Sequence, residues 1–404
     1  MHRYVLVLLF IGILISRCNR EHKIDPEVQV YAEDEKLTVF KSDIKADTVY
    51  LIKDQFFGDI EDYYFSVMGD FTVDDSGRVY IADGAWGSRS LHVFSPDGSY
   101  VTQIAGEGKG PGEFLSLYQM QYRDGKLLYN DGEQFRLNLY DTETLELEEI
   151  IATDPEKWSM IDDIQGFNVR SVYLISRNRF LVGFELPVFQ AKSKKREEKF
   201  YYTDRSFELD SNQVYKHQAD VFVSSNIKRK GSKHNYVVIK NFPFFERSLL
   251  VLTSDGHVFT ARTGEFLINE HDAKGNYLRS FYYPTPKVPV SRENAMAISN
   301  DLTEDIARDV ELPEHWPVLN KLYVDDEDRL WVSTFTEGDY YKWYVLERSG
   351  KLIARFNWPG KRNRDSNSLK NKTIIKDGYF YKREEDPDTG QKMVVRYKIE
   401  FVSR

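Results

Sequence analysis

The chain has 404 residues, 41% hydrophobic and 29% charged, with 55 basic side chains against 64 acidic ones and a formal net charge of −9. That balance excludes an intrinsically disordered chain and argues against nucleic acid as a partner, because a phosphate backbone is held by a surplus of basic groups. With 26 Tyr and 26 Phe, which favour half-buried pleated surfaces, the expectation is a strand-rich fold with a sizeable core.

Arg3 opens the chain with positive charge, and Tyr4 to Ile15 is almost wholly apolar, the length of a signal-peptide core and short for a membrane span. The run ends in Leu14-Ile15-Ser16-Arg17-Cys18, which resembles a bacterial lipobox, where the cysteine is acylated and becomes the first residue after cleavage. Arg17 stands where lipoboxes carry Gly, Ala or Ser. Residues 1–17 therefore read as a signal peptide, Cys18 as the lipidation site and 18–36, polar and aperiodic, as a tether. Cleavage leaves 53 basic against 64 acidic residues, a charge of −11. Cys18 is the only cysteine, so no disulfide is available and the core alone must stabilise the domain at 37–404.

A repeated strand unit fills that domain. Phe71 to Ile104 reads as four short alternating strands separated by Asp74-Asp75-Ser76-Gly77, a Gly-rich loop and Pro96-Asp97-Gly98. Copies follow, with the third residues of their first turns at 77, 125, 178, 256, 328 and 378, which are 48, 53, 78, 72 and 50 residues apart. Three spacings match one propeller blade and two match a blade plus an insertion. The blades are expected near 71–106, 118–151, 172–215, 249–283, 322–358 and 373–402, with boundaries between 154 and 249 left open. The last copy supplies three strands, and Asp47 to Lys53 is a strand without a sheet. Pairing the two gives an all-β, six-bladed β-propeller closed by its N-terminal strand, with a short helical insertion between blades four and five. A sandwich or two β-domains is the competing architecture, and it needs no such pairing.

The strings VDDSGRVYIAD and LHVFSPDGSYV, the crossover GEGKGPGEF at 106–114, and LPEHWPVLNKLYVDDEDRLWV at 312–332 carry a resemblance. They resemble the NHL-repeat-like and TolB-like six-bladed β-propellers common as lipoproteins in Bacteroidetes-type bacteria. The resemblance implies a fold and an envelope location, outer membrane or periplasm, and little chemistry, since propellers host lyases, hydrolases, sugar binders and scaffolds alike.

No catalytic set stands out. The tempting carboxylates, Asp74-Asp75, Asp325-Asp326-Asp328 and Asp386-Asp388, fall where hairpin turns are expected and read as turn chemistry. There is no Gly-x-Ser-x-Gly, and the eight histidines, His92 and His257 among them, show no zinc spacing. Gly106 to Gly112 is a crossover rather than a phosphate cradle, because Pro111 and Glu113 follow instead of Lys-Ser/Thr and a helix. The basic runs at 192–199 and 228–233 read as solvated loops. No cofactor is expected, with a divalent cation such as calcium left open.

Two places could border a ligand at the channel face. Glu113 and Phe114 lie on the first crossover. The long segment Tyr283–Pro317 offers Arg292, His315 and Trp316, with Ser291 and the pair Asp301 and Glu304 as helix caps. Its two readings are a lid over the channel and a packing element sealing a blade junction. The functional expectation is an exported, lipid-anchored envelope protein whose propeller binds a glycan, a peptide or a partner protein without catalysis. The alternative is a metal-dependent lyase or hydrolase acting in the channel.

Overall fold

The computed structural model describes residues 26–403 apart from 33–34, 42–44, 86, 118, 154, 187–194, 210–212, 221, 229–234, 299–303 and 363–371. Cys18 and its signal-like segment lie outside the described residues, as does Asp301. No helix among the described residues is long and apolar enough to cross a membrane.

Helix α1 (Pro26–Ala32) and strands β1 (Leu37–Val39) and β2 (Asp47–Phe57) precede the repeated units. The first unit is β3 (Met68–Val73), β4 (Val79–Asp83), β5 (Ser90–Phe94) and β6 (Tyr100–Gly106). The second is β7 (Gln119–Arg123), β8 (Lys126–Asp131), β9 (Arg136–Asp141) and β10 (Leu147–Ala152). The third is β11 (Asn168–Ser176), β12 (Arg179–Glu185), β13 (Lys195–Asp204) and β14 (Tyr215–Asp220), followed by a separate hairpin of β15 (Phe222–Lys228) and β16 (Asn235–Lys240). The fourth is β17 (Ser248–Leu252), β18 (Val258–Arg262), β19 (Leu267–His271) and β20 (Tyr277–Tyr282). After α2 (Arg292–Ala297) and α3 (Glu304–Asp309) come β21 (Leu319–Val324), β22 (Leu330–Thr334), β23 (Tyr340–Leu346) and β24 (Leu352–Pro359), then β25 (Thr373–Lys376), β26 (Tyr379–Glu385) and β27 (Lys392–Val402).

Each unit is an antiparallel meander in chain order. The sixth, with three strands of its own, takes β2 as its fourth: β2 runs antiparallel to β27 from Thr48↔Val402 to Phe57↔Val394. A short parallel bridge, Asp47↔Ala354 and Thr48↔Arg355, joins β2 to β24 of the fifth unit. The first strands of the units gather at the centre, where β3 neighbours both β7 and β25, and β21 neighbours both β17 and β25.

Five of the six hairpins between first and second strands have a common chemistry, the turn at Arg177-Asn178 of the third unit being the exception. Gly77, Gly125, Gly256 and Gly378 take φ of +80°, +76°, +82° and +75°, and Asp328 takes +58° in the same role. Asp74 accepts from the backbone of Ser76 and Arg78 (both 2.9 Å), from Arg78 Nε (2.9 Å) and from the buried Tyr80 hydroxyl (2.9 Å). Asp325 repeats the pattern with Arg329 (backbone N 2.8 Å, Nε 2.7 Å) and Trp331 Nε1 (2.8 Å). A carboxylate closing a tight turn and satisfying a buried aromatic donor is a structural device, and the turn reading of these aspartates agrees with that geometry.

Apolar cores lie between successive units. Phe71, Phe114, Tyr129 and Tyr381 share one, Leu137, Val172 and Phe180 the next, Leu181, Tyr202 and Val258 another, and Phe259, Ile268, Leu330 and Val332 a fourth. Another joins Trp331, Phe380 and Val49 to Trp316, Ala295 and Ala307 of the helical segment.

Neighbouring residues of β2 test what this strand contributes. Phe57 is fully buried against Tyr381 (centroids 6.3 Å), whereas Phe56 is 49% exposed. Phe57→Ala is expected to destabilise by about 3–5 kcal/mol and Phe56→Ala by less than about 1 kcal/mol in chemical denaturation. Equal losses would mean that β2 is not packed into the sixth unit.

Candidate functional site

A cavity of about 560 Å³ is walled by residues of all six central strands. Because these strands pair on one side only, their other backbone edge faces the cavity and needs partners. Side chains from neighbouring units provide them. Gln119 and Gln121 of β7 accept from Val172 N and Leu174 N of β11 (both 2.9 Å). Asp70 of β3 accepts from Met120 N (2.7 Å), while Lys372 donates to Met120 O (2.7 Å) and to Asp70 Oδ2 (3.1 Å). Arg383 donates to the carbonyls of Met68 and Gly69.

The hairpin end of the cavity is laced across. Arg123 reaches from the second unit to the Thr253 (3.4 Å) and Ser254 carbonyls of the fourth. Asp328 accepts from Ser254 N (2.8 Å) and Oγ (3.0 Å), and Asp326 accepts from Asp377 N (2.9 Å). Lys376 pairs with Asp75 at 2.5 Å and lies 4.4 Å from the centre of the Tyr122 ring. Burial opposes charge on Asp75, but the hydrogen bonds from Lys376 and Tyr122 hold its carboxyl below the ordinary value. Burial and the same carboxylate push Tyr122 up to about 12.

At the opposite end a smaller cavity of about 120 Å³ opens between the fifth and sixth units, with Tyr323, Lys372 and Thr373 bordering both spaces. Its walls include Tyr341, Trp343, Trp358 and Phe380, and its cations Lys321, Lys382 and Arg383. Arg247, just before β17, donates to Asn320 O (2.5 Å) beside it.

The residues singled out in the sequence lie elsewhere. Phe114 is fully buried, edge-on to Tyr129 (5.4 Å), so its ring is core and not rim. Exposed Glu113 folds back on its own loop, accepting from Gly110 N (2.7 Å), on the first crossover and away from the central cavity. Arg292 donates to the Ala307 (3.0 Å) and Val310 (2.6 Å) carbonyls and ties α2 to α3. The backbone of His315 bridges Pro289. Trp316, 1% exposed, packs on Phe335 (5.2 Å) and Phe244 (6.0 Å). Arg292 and Trp316 thus serve the packing of the segment, and the five residues do not converge. The side pocket was missed because the polar groups in and beside it sit one residue before a central strand, at Arg247 and Lys372, or at its second residue, at Asn320. Aligning the repeats on those positions was the signal that could have found them.

Two buried polar clusters also lie outside that reading. His92 Nε2 is 2.8 Å from Ser90 Oγ, and Tyr63 bridges Ser90 (3.0 Å) and Asp83 (2.8 Å). With Ser90 and His92 only 4% and 3% exposed, the hydroxyl is out of reach of a substrate. On the third unit Glu198 and His217 face each other at 3.9 Å beside Tyr173, which borders the cavity. Burial pushes Glu198 up to about 7 against a hydrogen bond from Ser171, and pulls His217 down to about 4. Both are favoured in their neutral forms. Among the described residues no group of three or more His, Cys, Asp or Glu is arranged to hold a metal ion.

Five four-stranded meanders and a sixth of three strands joined by β2, all bordering one cavity through their first strands, are the architecture of a β-propeller. Residues 62–249 match a family model, DUF5128, described as a 6-bladed beta-propeller. Similar solved structures point the same way. A DUF4221 family member from Bacteroides vulgatus aligns at 11% identity and a TM-score of 0.52, covering 89% of this chain and all of that one. A Bacteroides fragilis protein inferred to be exported aligns at 13% identity and a TM-score of 0.50, over 91% of this chain and all of that one. At such identities the likeness is one of fold. No curated protein matches the sequence.

The buried Glu198 gives a pH prediction. Its raised pKa means the folded state binds more protons than the unfolded one between the ordinary value of 4.5 and about 7, so its contribution to stability falls as pH rises through that window. Glu198→Gln removes this term, worth at most about 3 kcal/mol, while His217 titrates in both proteins. The variant should gain stability over wild type between pH 4.5 and 8 in urea titrations. A difference independent of pH would contradict it.

Proposed function

We propose that the chain is an exported envelope protein, anchored through a lipid on Cys18, whose closed propeller is a non-catalytic binding module for a glycan, peptide or partner protein at its channel face. The observation that carries the binding reading is the cavity of about 560 Å³ bordered by all six central strands. Its polar groups are distributed around the ring and engaged mainly with backbone, as in a recognition surface, rather than gathered into a nucleophile, base and oxyanion donor. The pairing of β2 with β27 supports ring closure, since it covers the strand edges that an open sheet would expose. The metal-dependent alternative has no donor set among the described residues to support it.

Glycan and peptide panels probed with the mature protein, together with a pull-down from envelope extract, test the binding reading. A saturable ligand is expected, and saturating panels with no partner would sink it. The anchor is tested separately: wild type should take up a lipid label and fractionate with membranes, and Cys18→Ala should do neither. A variant that stays membrane-bound, with no label on wild type, would overturn the anchor.

A further inference from the structure

The side pocket between the fifth and sixth units is built for something the chain does not supply. Trp343 is stacked between Tyr323 (centroids 6.1 Å, 9°) and Phe356 (5.8 Å, 13°), with Phe380 edge-on at 5.7 Å. Trp343 is 6% exposed, yet its Nε1 has no hydrogen-bond partner among the described residues. Asn320 is 4% exposed, and its Oδ1 is likewise unpartnered. So is Nη1 of Arg247, whose Nη2 holds Asn320 O and whose charge is felt by Tyr323 and Tyr341. Burying an unsatisfied polar atom costs about 1–3 kcal/mol, and native structures carry few. Asn320 and Trp343 line the cavity and Arg247 stands behind Asn320, whose carbonyl it holds; three such atoms so close together point to a missing polar partner.

Charge narrows the chemistry. The lining holds four cations, Lys321, Lys372, Lys382 and Arg383, and no carboxylate. Lys372 and Arg383 are committed to Asp70 and to backbone carbonyls, but Lys382 lies 5.0 Å above the Trp358 ring, with Glu384 at 3.6 Å as its outer neighbour. Among the described residues no carboxylate pairs with Arg247. A fitting ligand therefore brings an anionic group, a flat apolar face for the aromatic wall, and hydroxyls that both donate, to Asn320 Oδ1, and accept, from Trp343 Nε1. The volume of about 120 Å³ is that of about four waters at roughly 30 Å³ each, room for a single ring-sized group. A bare inorganic anion leaves the aromatic wall unused, and an acidic peptide, whose N–H and C=O could also meet Asn320 Oδ1 and Trp343 Nε1, brings no flat ring face for that wall.

We propose that this pocket binds an acidic sugar, a hexuronate residue of a glycan, with its carboxylate toward Arg247 and Lys382 and its ring against the aromatic wall. The assignment rests on the binding reading of the channel face and names its ligand class.

The full mature chain is titrated calorimetrically with tetragalacturonate, with the neutral tetrasaccharide of galactose, and with hexaglutamate. Tetragalacturonate should bind, more weakly as salt rises, and at least tenfold better than either control. Hydrogen bonds to a charged group contribute about 1.5–3 kcal/mol, or about 10- to 100-fold in affinity. Arg247→Gln should lose that much, and Trp343→Phe and Lys382→Ala about tenfold each. Lys382 is partly exposed and spares the fold, and thermal unfolding checks the two buried variants. Equal binding of the neutral sugar, preference for hexaglutamate, no binding of tetragalacturonate, or insensitivity to Lys382→Ala and Trp343→Phe each overturns the assignment. If the broader panels yield a ligand whose affinity these variants leave unchanged, the pocket assignment fails and the binding reading survives. No ligand in any panel ends both.

Discussion

Six central strands each leave one backbone edge without a partner in their own sheet, and the structure depends on how those edges are satisfied. Side chains from other units take over: Gln119 and Gln121 for β11, Asp70 and Lys372 for Met120, Arg383 for β3, Arg247 for Asn320. Each of these bonds joins two units. The requirement that buried amides and carbonyls be paired therefore also fixes the units relative to one another, and the apolar cores between them fill the space so defined.

This arrangement explains what was legible in the sequence. Strand repeats and turns are local, so Gly77, Gly125, Gly256, Asp328 and Gly378 marked five hairpins from residue type alone, and all five take positive φ. The unclaimed strand at 47–53 was legible for a related reason: a three-stranded remnant at the C-terminus lacked one member, and β2 pairs there. The stretch from 154 to 249 was opaque because β15 and β16 insert a hairpin with its own alternation between the third and fourth units, and a period count cannot separate an insertion from a degenerate blade.

The candidate site was less legible, and the misplacements share a cause. Phe114 and Trp316 stood out as aromatics on long connections, yet connections that cross between sheets must be sealed, and large rings seal them by burial. Arg292 stood out as a cation, but α3 ends in carbonyls that its guanidinium satisfies. Groups that do meet the cavities are unremarkable in sequence, since a Gln on β7 or an Asn at the head of β21 becomes a site residue only through the strand that lies beside it.

Three guanidiniums show how an edge-pairing device can become a recognition group. Arg123 and Arg383 each give two donor contacts to backbone carbonyls of another unit. Arg247 performs the same service with Nη2 but keeps Nη1 over, in a setting where burial pulls its pKa to about 10 and no described carboxylate restores it. At neutral pH it remains protonated, so the cost of its desolvated charge persists in the unliganded protein and is relieved only by an anion. A neutral hydroxyl could fill the hydrogen bond but not offset the charge. That asymmetry sets Arg247 apart from Arg123 and Arg383, whose two donor contacts each go to backbone carbonyls.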